Sequence, residues 1–543
     1  MTRRRWIAIA TAGVLGLASC GGDDDTTDAV TSESTSSDVP DGGSSCTETV
    51  PGSELDFGVY APAASLDPLQ NAGALVGGTD MLAIYDALMR WNPDTNAWQP
   101  HVAESLTSNA DFTEWTLKLR PGITYSNGDT MVAQDVLDNL TRLMGQGRNG
   151  SRSLIVRVDM ANSKAIDDTT VVFRLFKPWS TFAYLLGDAP GMVVNPRVGS
   201  ALDGSGTTVI SSDPAGAGVG PYTVERWAPG ESPYLVLTAR PDYWGGAPCI
   251  ETINMVNIPT DQPKLEALDL GELDVAFLRT PDVIAEARAS GEYTEAMRLQ
   301  SAGVELLINQ GSGNYNPITE DVRFRQAVAA AIDPEAMSQR AYGGDLLPHD
   351  GLLHPTSYWY TVDSPAPVRD PALASQLVDA LKSEGWDGSI RLICPDTAPD
   401  APVAYEAALE AAGMNVESTV ADTNSHIAAV AVQKDYDLAC FGLNLSDSAM
   451  WRQVAINFAS DSAANQIGYK NPAMDAAIDE LFAAPDDEAR RAAMMTISRL
   501  YAEDIPVAIV GALEEGLMIS PAVKGIEGTQ QTMFFLHDAS IES

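Results

Sequence analysis

Positive charge is scarce in this chain. Its 543 residues include 33 Lys and Arg against 74 Asp and Glu, a formal net charge of −41. A nucleic-acid backbone is bound by cations that displace its counterions, so this composition excludes nucleic acid as a partner class. A polybasic face for anionic lipid is excluded on the same ground. Histidine and cysteine are also sparse, with five of each. His101, His349, His354, His426 and His537 are scattered, and only His349 and His354 lie near one another, so no metal site is read from them. There is no G-x-S-x-G, no H-E-x-x-H and no Walker A lysine, which leaves no nucleophile with a partnered base to suggest a secreted hydrolase. Gly145 to Gly150 has the spacing G-x-G-x-x-G, but it follows a helical pattern where a dinucleotide cradle needs a strand before it and a helix after it. With so many carboxylates, any acid pair offered for hydrolysis is a chance pair.

One apolar run stands out. Arg3, Arg4 and Arg5 precede Trp6 to Leu17, which is too short to span a bilayer core of ~30 Å and fits the apolar core of a signal peptide. It continues into Leu17-Ala18-Ser19-Cys20, which resembles the bacterial lipobox, where cleavage precedes a cysteine that then carries diacylglycerol. The expectation is a signal peptide over 1–19 and lipidation at Cys20; the alternative is a small-residue cleavage site with an incidental cysteine. Thr2 to Ile7 also loosely resembles a twin-arginine signal, although a Sec signal with an Arg-rich start is simpler. Gly21 to Ser45 is Gly, Ser, Thr and Asp with seven acidic residues, no Lys or Arg and almost nothing apolar. Residues 20–45 are therefore expected to be a disordered, lipid-anchored tether. Three of the positive residues that soften the net charge, Arg3, Arg4 and Arg5, belong to the segment expected to be removed.

What remains is ample for a folded body. Hydrophobic residues make up 45%, with 10 Trp, 16 Tyr and 12 Phe, and at roughly 150 residues per domain the length suggests three or four units. Strands are expected at Glu54 to Tyr60, Glu114 to Arg120, Thr170 to Phe176, Tyr222 to Trp227, Tyr234 to Thr238 and Ile253 to Ile258. Helices are expected from Thr79 through Leu82, Tyr85, Leu88 and Met89, and over Ala133 to Met144. Pro121-Gly122, Asn127-Gly128 and Pro229-Gly230 mark turns. After about residue 303 the rhythm alternates: strands at Val304 to Asn309, Ile390 to Cys394, Val416 to Val420, Tyr436 to Phe441 and Ile505 to Val510, with helices at Asp321 to Ile332, Ala401 to Ala412, Ser425 to Gln433, Pro472 to Ala484 and Asp487 to Glu503. That pattern argues α/β packing. Tyr342 to Pro367 reads as a long loop, and no internal repeat is seen.

Several ordered blocks carry a family resemblance. Pro100-His101-Val102-Ala103-Glu104-Ser105-Leu106, Trp115 to Ile123, Asn127-Gly128-Asp129 and Ala133-Gln134-Asp135-Val136 together resemble P-x-L-A-E-S-W … F-x-L-R-x-G-V-x-F-H-D-G-x-P … A-x-D-V. Gly218 to Tyr222 resembles G-T-G-P-Y, Pro241 to Gly246 resembles N-P-x-Y-W-G-G, Leu268 to Val275 resembles L-x-x-G-E-x-D-V, and Val322 to Asp333 resembles V-R-x-A-x-x-x-A-I-D. These are the marks of the family 5 extracellular solute-binding proteins of ABC importers, the oligopeptide-, dipeptide- and nickel-binding type, and the resemblance is close over 55–335 and diffuse elsewhere. Most of the blocks read physically as scaffold, with Trp115 and Trp244 as core.

The resemblance implies an α/β, two-lobed periplasmic-binding-protein-like clamp of type II, of the large cluster C type, whose first lobe is discontinuous and carries extra strands. Lobe I would be 46–302 and 504–543 and lobe II 303–503, with hinge strands Val304 to Asn309 and Ile505 to Val510. With Cys20 set aside, Cys46, Cys249, Cys394 and Cys440 allow three pairings or remain free; Cys46 with Cys249 and Cys394 with Cys440 keeps each bridge inside one lobe. In peptide-binding members a strand ending D-x-A-x-x-G-W leads to an aspartate that pairs with the peptide amine. Here Tyr436 to Asp447 aligns Gly442, but Leu443 replaces the Trp and Ser446 takes the aspartate position, with Asp447 one place later. Loops used by the family supply further ligand-binding expectations: Tyr60, Leu66 and Asp67; Ser151 and Arg152; Trp359 and Tyr360; and Asn444, Ser446, Asp447 and Trp451.

The resemblance further implies a non-enzymatic monomer on the outer face of the cytoplasmic membrane, with no cofactor or resident metal. It would deliver a peptide or other small solute to a membrane permease. The alternatives are the same fold holding a nickel chelate, sugar or other small molecule, or a receptor linked to a sensor. The acidic body would favour cationic solutes near the cleft.

Overall fold

The computed structural model describes residues 46–71, 75–146, 151–199 and 209–542. The expected signal peptide, Cys20 and the whole of the expected tether lie outside the described residues, as does Gly147 to Gly150 of the glycine-rich segment.

A single large sheet organises the body. Its main strands, labelled β1 to β10 in chain order, are β1 Val50–Gly58, β2 Tyr222–Trp227, β3 Leu235–Ala239, β4 Ile250–Val256, β5 Val275–Leu278, β6 Thr294–Ile308, β7 Ser389–Pro395, β8 Asn415–Ala421, β9 Leu438–Leu443 and β10 Val507–Ile519. Across the sheet the order is β8-β7-β9-β6-β10-β5-β1-β4-β3-β2. The two longest strands, β6 and β10, pair antiparallel from Thr294 opposite Ile519 to Leu307 opposite Val507. At one end β10 pairs with β5 through Gly516 to Ile519; at the other, β6 pairs with β9 through Ala302 to Ile308. The same two strands thus belong to both halves of the sheet. Their pairing shifts register between Gln300 and Val304, around Gly303. On one side of this pair β1 runs parallel to β4 and β5, and on the other β7 runs parallel to β8 and β9.

The expected strands Val304 to Asn309 and Ile505 to Val510 are the ends of β6 and β10. The first part of β6, Thr-Glu-Ala-Met-Arg-Leu-Gln, is rich in good helix formers and gave no strand signal; pairing with β10 overrides that propensity. A second sheet is built from Ala103–Ser108, Glu114–Leu119, Thr170–Arg174 and Lys164–Ala165. In its second strand Trp115, Leu117 and Leu119 are buried while Thr116 and Lys118 are not, the alternation of a sheet with one covered face. Trp244, half-buried, donates from Nε1 to Asp86 and is capped by Arg120.

Several expected boundaries are corrected. The helix begun near Thr79 spans Gly78–Tyr85 and excludes Leu88 and Met89, because Asp86 adopts a positive φ of 58° and Met89 opens a short hairpin with Ala97–Pro100. The segment Ser425 to Gln433 is not one α-helix: Thr423–Ile427 is followed by a π-helical turn over Ala428–Gln433. Helices Asp261–Asp269, Pro281–Ser290, Pro371–Ser383 and Met450–Phe458 had not been anticipated.

Apolar packing follows the sheet. Leu55, Phe57, Tyr222, Leu237, Ile253 and Leu517 pack with Phe534, Phe535 and Leu536 from the end of the chain. Val304, Leu306, Phe324, Val378, Leu392, Leu438 and Val510 form a second cluster. The largest cluster is continuous between Trp91, Leu117, Leu140, Phe173 and Tyr184 on one side and Leu307, Trp359, Trp451, Phe458 and Ile497 on the other. Two disulfides are formed, Cys46–Cys249 and Cys394–Cys440, the pairing that the two-lobe reading favoured. Among the described residues no helix is long and apolar enough to cross a membrane.

Candidate functional site

The expected site residues fall into three groups. In the first, Leu66 and Asp67 are fully buried parts of a turn. The Leu66 carbonyl accepts from Tyr85 Oη at 2.7 Å. Asp67 accepts from the Leu69 amide at 3.0 Å and pairs with Arg142 at 2.5 Å, which fixes the turn after β1. Tyr60 is half-buried, edge-on to Phe277 and beneath the Arg279 guanidinium. Arg279 pairs with Glu515 of β10 at 2.9 Å, and Gln300 of β6 donates to Glu515 at 3.0 Å. Burial pushes the Glu515 carboxyl up, against the lowering pull of Arg279. Burial lowers the Arg279 value, yet the charge of Glu515 leaves it raised overall. A Cβ at Gly442, at the end of β9, would lie 3.9 Å from Arg279 Nη2, so the Tyr60 group adjoins the other half of the sheet.

In the second group Ser151 is buried and donates to Asp188, which also accepts from Tyr184 Oη at 3.2 Å; Arg152 beside it is exposed. Burial drives the Tyr184 phenol well above its usual value, with the Arg452 charge opposing. Near the chain end, Gln530 Nε2 donates to the Gly187 carbonyl at 2.7 Å and Gln531 Nε2 to Tyr184 Oη at 3.2 Å. The Gln531 amide donates to Ser448 Oγ at 2.8 Å, which joins this group to the third.

The third group surrounds the loop after β9. Asp447 accepts from Ser357 Oγ at 2.5 Å and from the Tyr358 amide at 3.0 Å, and its carbonyl accepts from Trp359 Nε1 at 2.8 Å. Burial pushes its carboxyl up, and these hydrogen bonds draw it back. Ser446 Oγ lies 3.3 Å from Ser448 Oγ, and Tyr360 is half-buried, with its amide bonded to Ser357. Trp451 is buried, its ring 6.0 Å from Trp359 and 6.5 Å from Trp91. Trp451 Nε1 and Asn444 Oδ1 have no hydrogen-bond partner.

The second and third groups therefore meet across an aromatic wall of Trp91, Trp98, Tyr184, Trp359 and Trp451, and Tyr60 stands apart beside Arg279. Sequence reasoning missed Trp91, Trp98, Tyr184, Arg279, Ser448, Arg452 and Gln531. Only Arg452 carried a local signal, as a lone cation in the apolar helix Met450–Phe458. His349 and His354 stand 5.1 Å apart, but His349 is bonded to the Ser301 carbonyl and burial draws it down to about 4. Among the described residues no three His, Cys, Asp or Glu side chains are placed to hold a metal.

Aromatic rings joined by a few convergent polar groups are the usual constitution of a small-molecule site. Two halves of one sheet, joined by two shared strands and meeting at an aromatic and polar wall, form the fold of the two-lobed periplasmic binding proteins. The oligopeptide-binding protein AppA of Bacillus subtilis, solved in complex with a nonapeptide, shares it with a TM-score of 0.75 at 17% identity, over 90% of this chain and 99% of that one. Protein XP55 of Streptomyces lividans is 27% identical over 482 residues, 86% of this chain and 83% of that protein. The glutathione-binding protein GsiB of Escherichia coli K12 is 26% identical over 288 residues, which is 52% of each chain. The family model "Bacterial extracellular solute-binding proteins, family 5 Middle" matches residues 97–465. The chain belongs to the family 5 bacterial extracellular solute-binding proteins, a family of substrate-binding proteins and not of enzymes.

Proposed function

We propose that this protein is the extracytoplasmic receptor of an ABC importer and that its solute is a peptide, held where the two halves meet and enclosed as they close together. The observation that carries this reading is the wall of Trp91, Trp98, Tyr184, Trp359 and Trp451, contributed from both sides of the shared strands and continuous with the largest apolar cluster. Lobe I comprises 46–302 and 504–543, lobe II comprises 303–503, and β6 and β10 act as the hinge. Cys20 anchors the chain to the outer face of the cytoplasmic membrane through its lipid, the acidic tether holds the monomeric body clear of the surface, and a permease receives the solute. Asp447 contributes to the site by fixing Ser357 to Trp359 in the wall. Support for a peptide comes from AppA, described with a nonapeptide, and from GsiB, described as binding glutathione, itself a tripeptide.

The test is thermal denaturation of the purified protein against a broad library of short peptides. A ligand at about a hundred times its Kd stabilises by ~2.7 kcal/mol, so at least one peptide class should raise the melting temperature. If no peptide does so while a sugar or metal chelate does, the solute is not a peptide and the receptor reading stands.

A further inference from the structure

Three arginines are almost wholly buried among the described residues, and two of them are satisfied internally. Arg240, 4% exposed, donates to the carbonyls of Gly220 and Thr124 and pairs with Asp242. Arg325, 7% exposed, donates to the carbonyls of Asp504, Thr319 and Glu320. Arg452, 5% exposed, differs. Its Nε has no hydrogen-bond partner, and among the described residues no carboxylate pairs with its guanidinium.

The position is specific. Arg452 lies in the first turn of helix Met450–Phe458, which packs against helix Arg152–Ile155 from the other side of the wall. Its charge acts on Tyr184, whose hydroxyl belongs to the Ser151, Asp188 and Gln531 network. Asp188, the acid of that network, is bonded to Ser151 and Tyr184 and does not pair with Arg452. Beside Arg452, the Trp451 indole N–H also lacks a partner. A buried guanidinium cannot relieve its situation by losing a proton, and an uncompensated buried charge is strongly unfavourable. A carboxylate supplied from outside would complete it, in the planar two-point geometry that guanidinium favours.

We propose that Arg452 is the anchor for a carboxylate of the solute, held at the wall between Trp451 and Tyr184. This inference rests on the receptor reading and deepens it. It also reverses the expectation from net charge: in a chain of −41, an anionic solute is repelled by the body as a whole and needs one local, unneutralised cation to be retained.

Two measurements test it. The first needs no ligand. Because no carboxylate among the described residues pairs with Arg452, the solute-free Arg452→Met variant should melt at or above the parent. A clear drop would show that the guanidinium is satisfied within the protein and would overturn the proposal. The second uses thermal shift and then calorimetry with a tripeptide library bearing free C-terminal carboxylates, its C-terminally amidated counterpart, glutathione and citrate. The free acid is expected to bind at least tenfold more tightly than its amide. Arg452→Met should lose that factor against the acid and little against the amide, and Arg452→Lys should recover part of it. Equal binding of acid and amide by the parent, or undiminished binding of the acid by Arg452→Met, refutes the anchor while leaving the receptor reading intact. If no carboxylate-bearing arm binds the parent, the anchor is refuted, and the receptor reading fails with it only if sugars and metal chelates also leave the melting temperature unchanged.

Discussion

Replacing Gly303 by alanine would place a methyl group where the two shared strands leave no room for one. Gly303 is buried in β6, at the register shift against β10, and its carbonyl abuts Gly442 of β9. A Cβ there would lie 2.5 Å from Leu513 Cγ and 3.0 Å from the Leu513 amide nitrogen, where ordinary carbon contacts are ~3.5–4.0 Å. Because Leu513 Cγ is tied closely to its backbone, the overlap must be absorbed by moving β10 relative to β6. Overpacking of this kind costs about 1–3 kcal/mol. Unfolding entropy near 2.1 cal/mol/K per residue gives about 1 kcal/mol/K for a body of roughly 500 residues, so the melting temperature should fall by about 1–3 °C if the body unfolds as one, and by more if one half unfolds alone. Gly145 supplies the control. It lies in helix Ala133–Gln146, where an added methyl group would meet nothing within 4 Å, and Gly145→Ala should stabilise by about 0.4–1 kcal/mol. Calorimetry on the two variants should therefore show shifts of opposite sign. A Gly303→Ala protein that melts at or above the parent would refute the close crossing of the shared strands.

Two other substitutions probe buried carboxylates of the scaffold. Asp80, buried and bonded to Tyr234, is pushed up to about 6 by burial, so between the ordinary value of 3.8 and about 6 the folded chain keeps a proton that the unfolded chain releases, and stability falls as pH rises through that window. Relative to the parent, Asp80→Asn should gain about 2 kcal/mol between pH 4 and pH 7; denaturant titrations showing a flat difference would contradict this. Asp67→Ala removes the partner of Arg142, whose side chain is largely but not wholly covered, and the cap on the Leu69 amide. It should cost about 3–5 kcal/mol, and a loss below 1 kcal/mol by chemical denaturation would show that the pair is not closed in solution.

What the sequence disclosed depended on how local the cause was. Trp115, Leu117 and Leu119 alternate with polar residues, and the strand they form was visible from that pattern. Asp321 and Asn471 cap helices that were visible from their flanking signals. The ordered blocks from Pro100 to Asp333 were sufficient to identify the family, because turns and packing impose them in sequence order. The beginning of β6 was hidden, since its residues favour a helix and only β10, more than two hundred positions later, makes it a strand. The wall was hidden for the same reason. Trp91 meets Trp451, and Tyr184 meets Gln531, through topology alone. Arg452 was legible as an oddity in an apolar helix, but its lack of a paired carboxylate among the described residues is a three-dimensional fact.

The central claim is that the two halves enclose a solute, and native mass spectrometry of the purified protein measures it most directly. The account predicts one solute per chain: either a small molecule carried through purification and released on denaturation, or a 1:1 complex formed when a carboxylate-bearing short peptide is added to the emptied protein. A protein that carries no solute and forms no complex with peptides, sugars or metal chelates would contradict it.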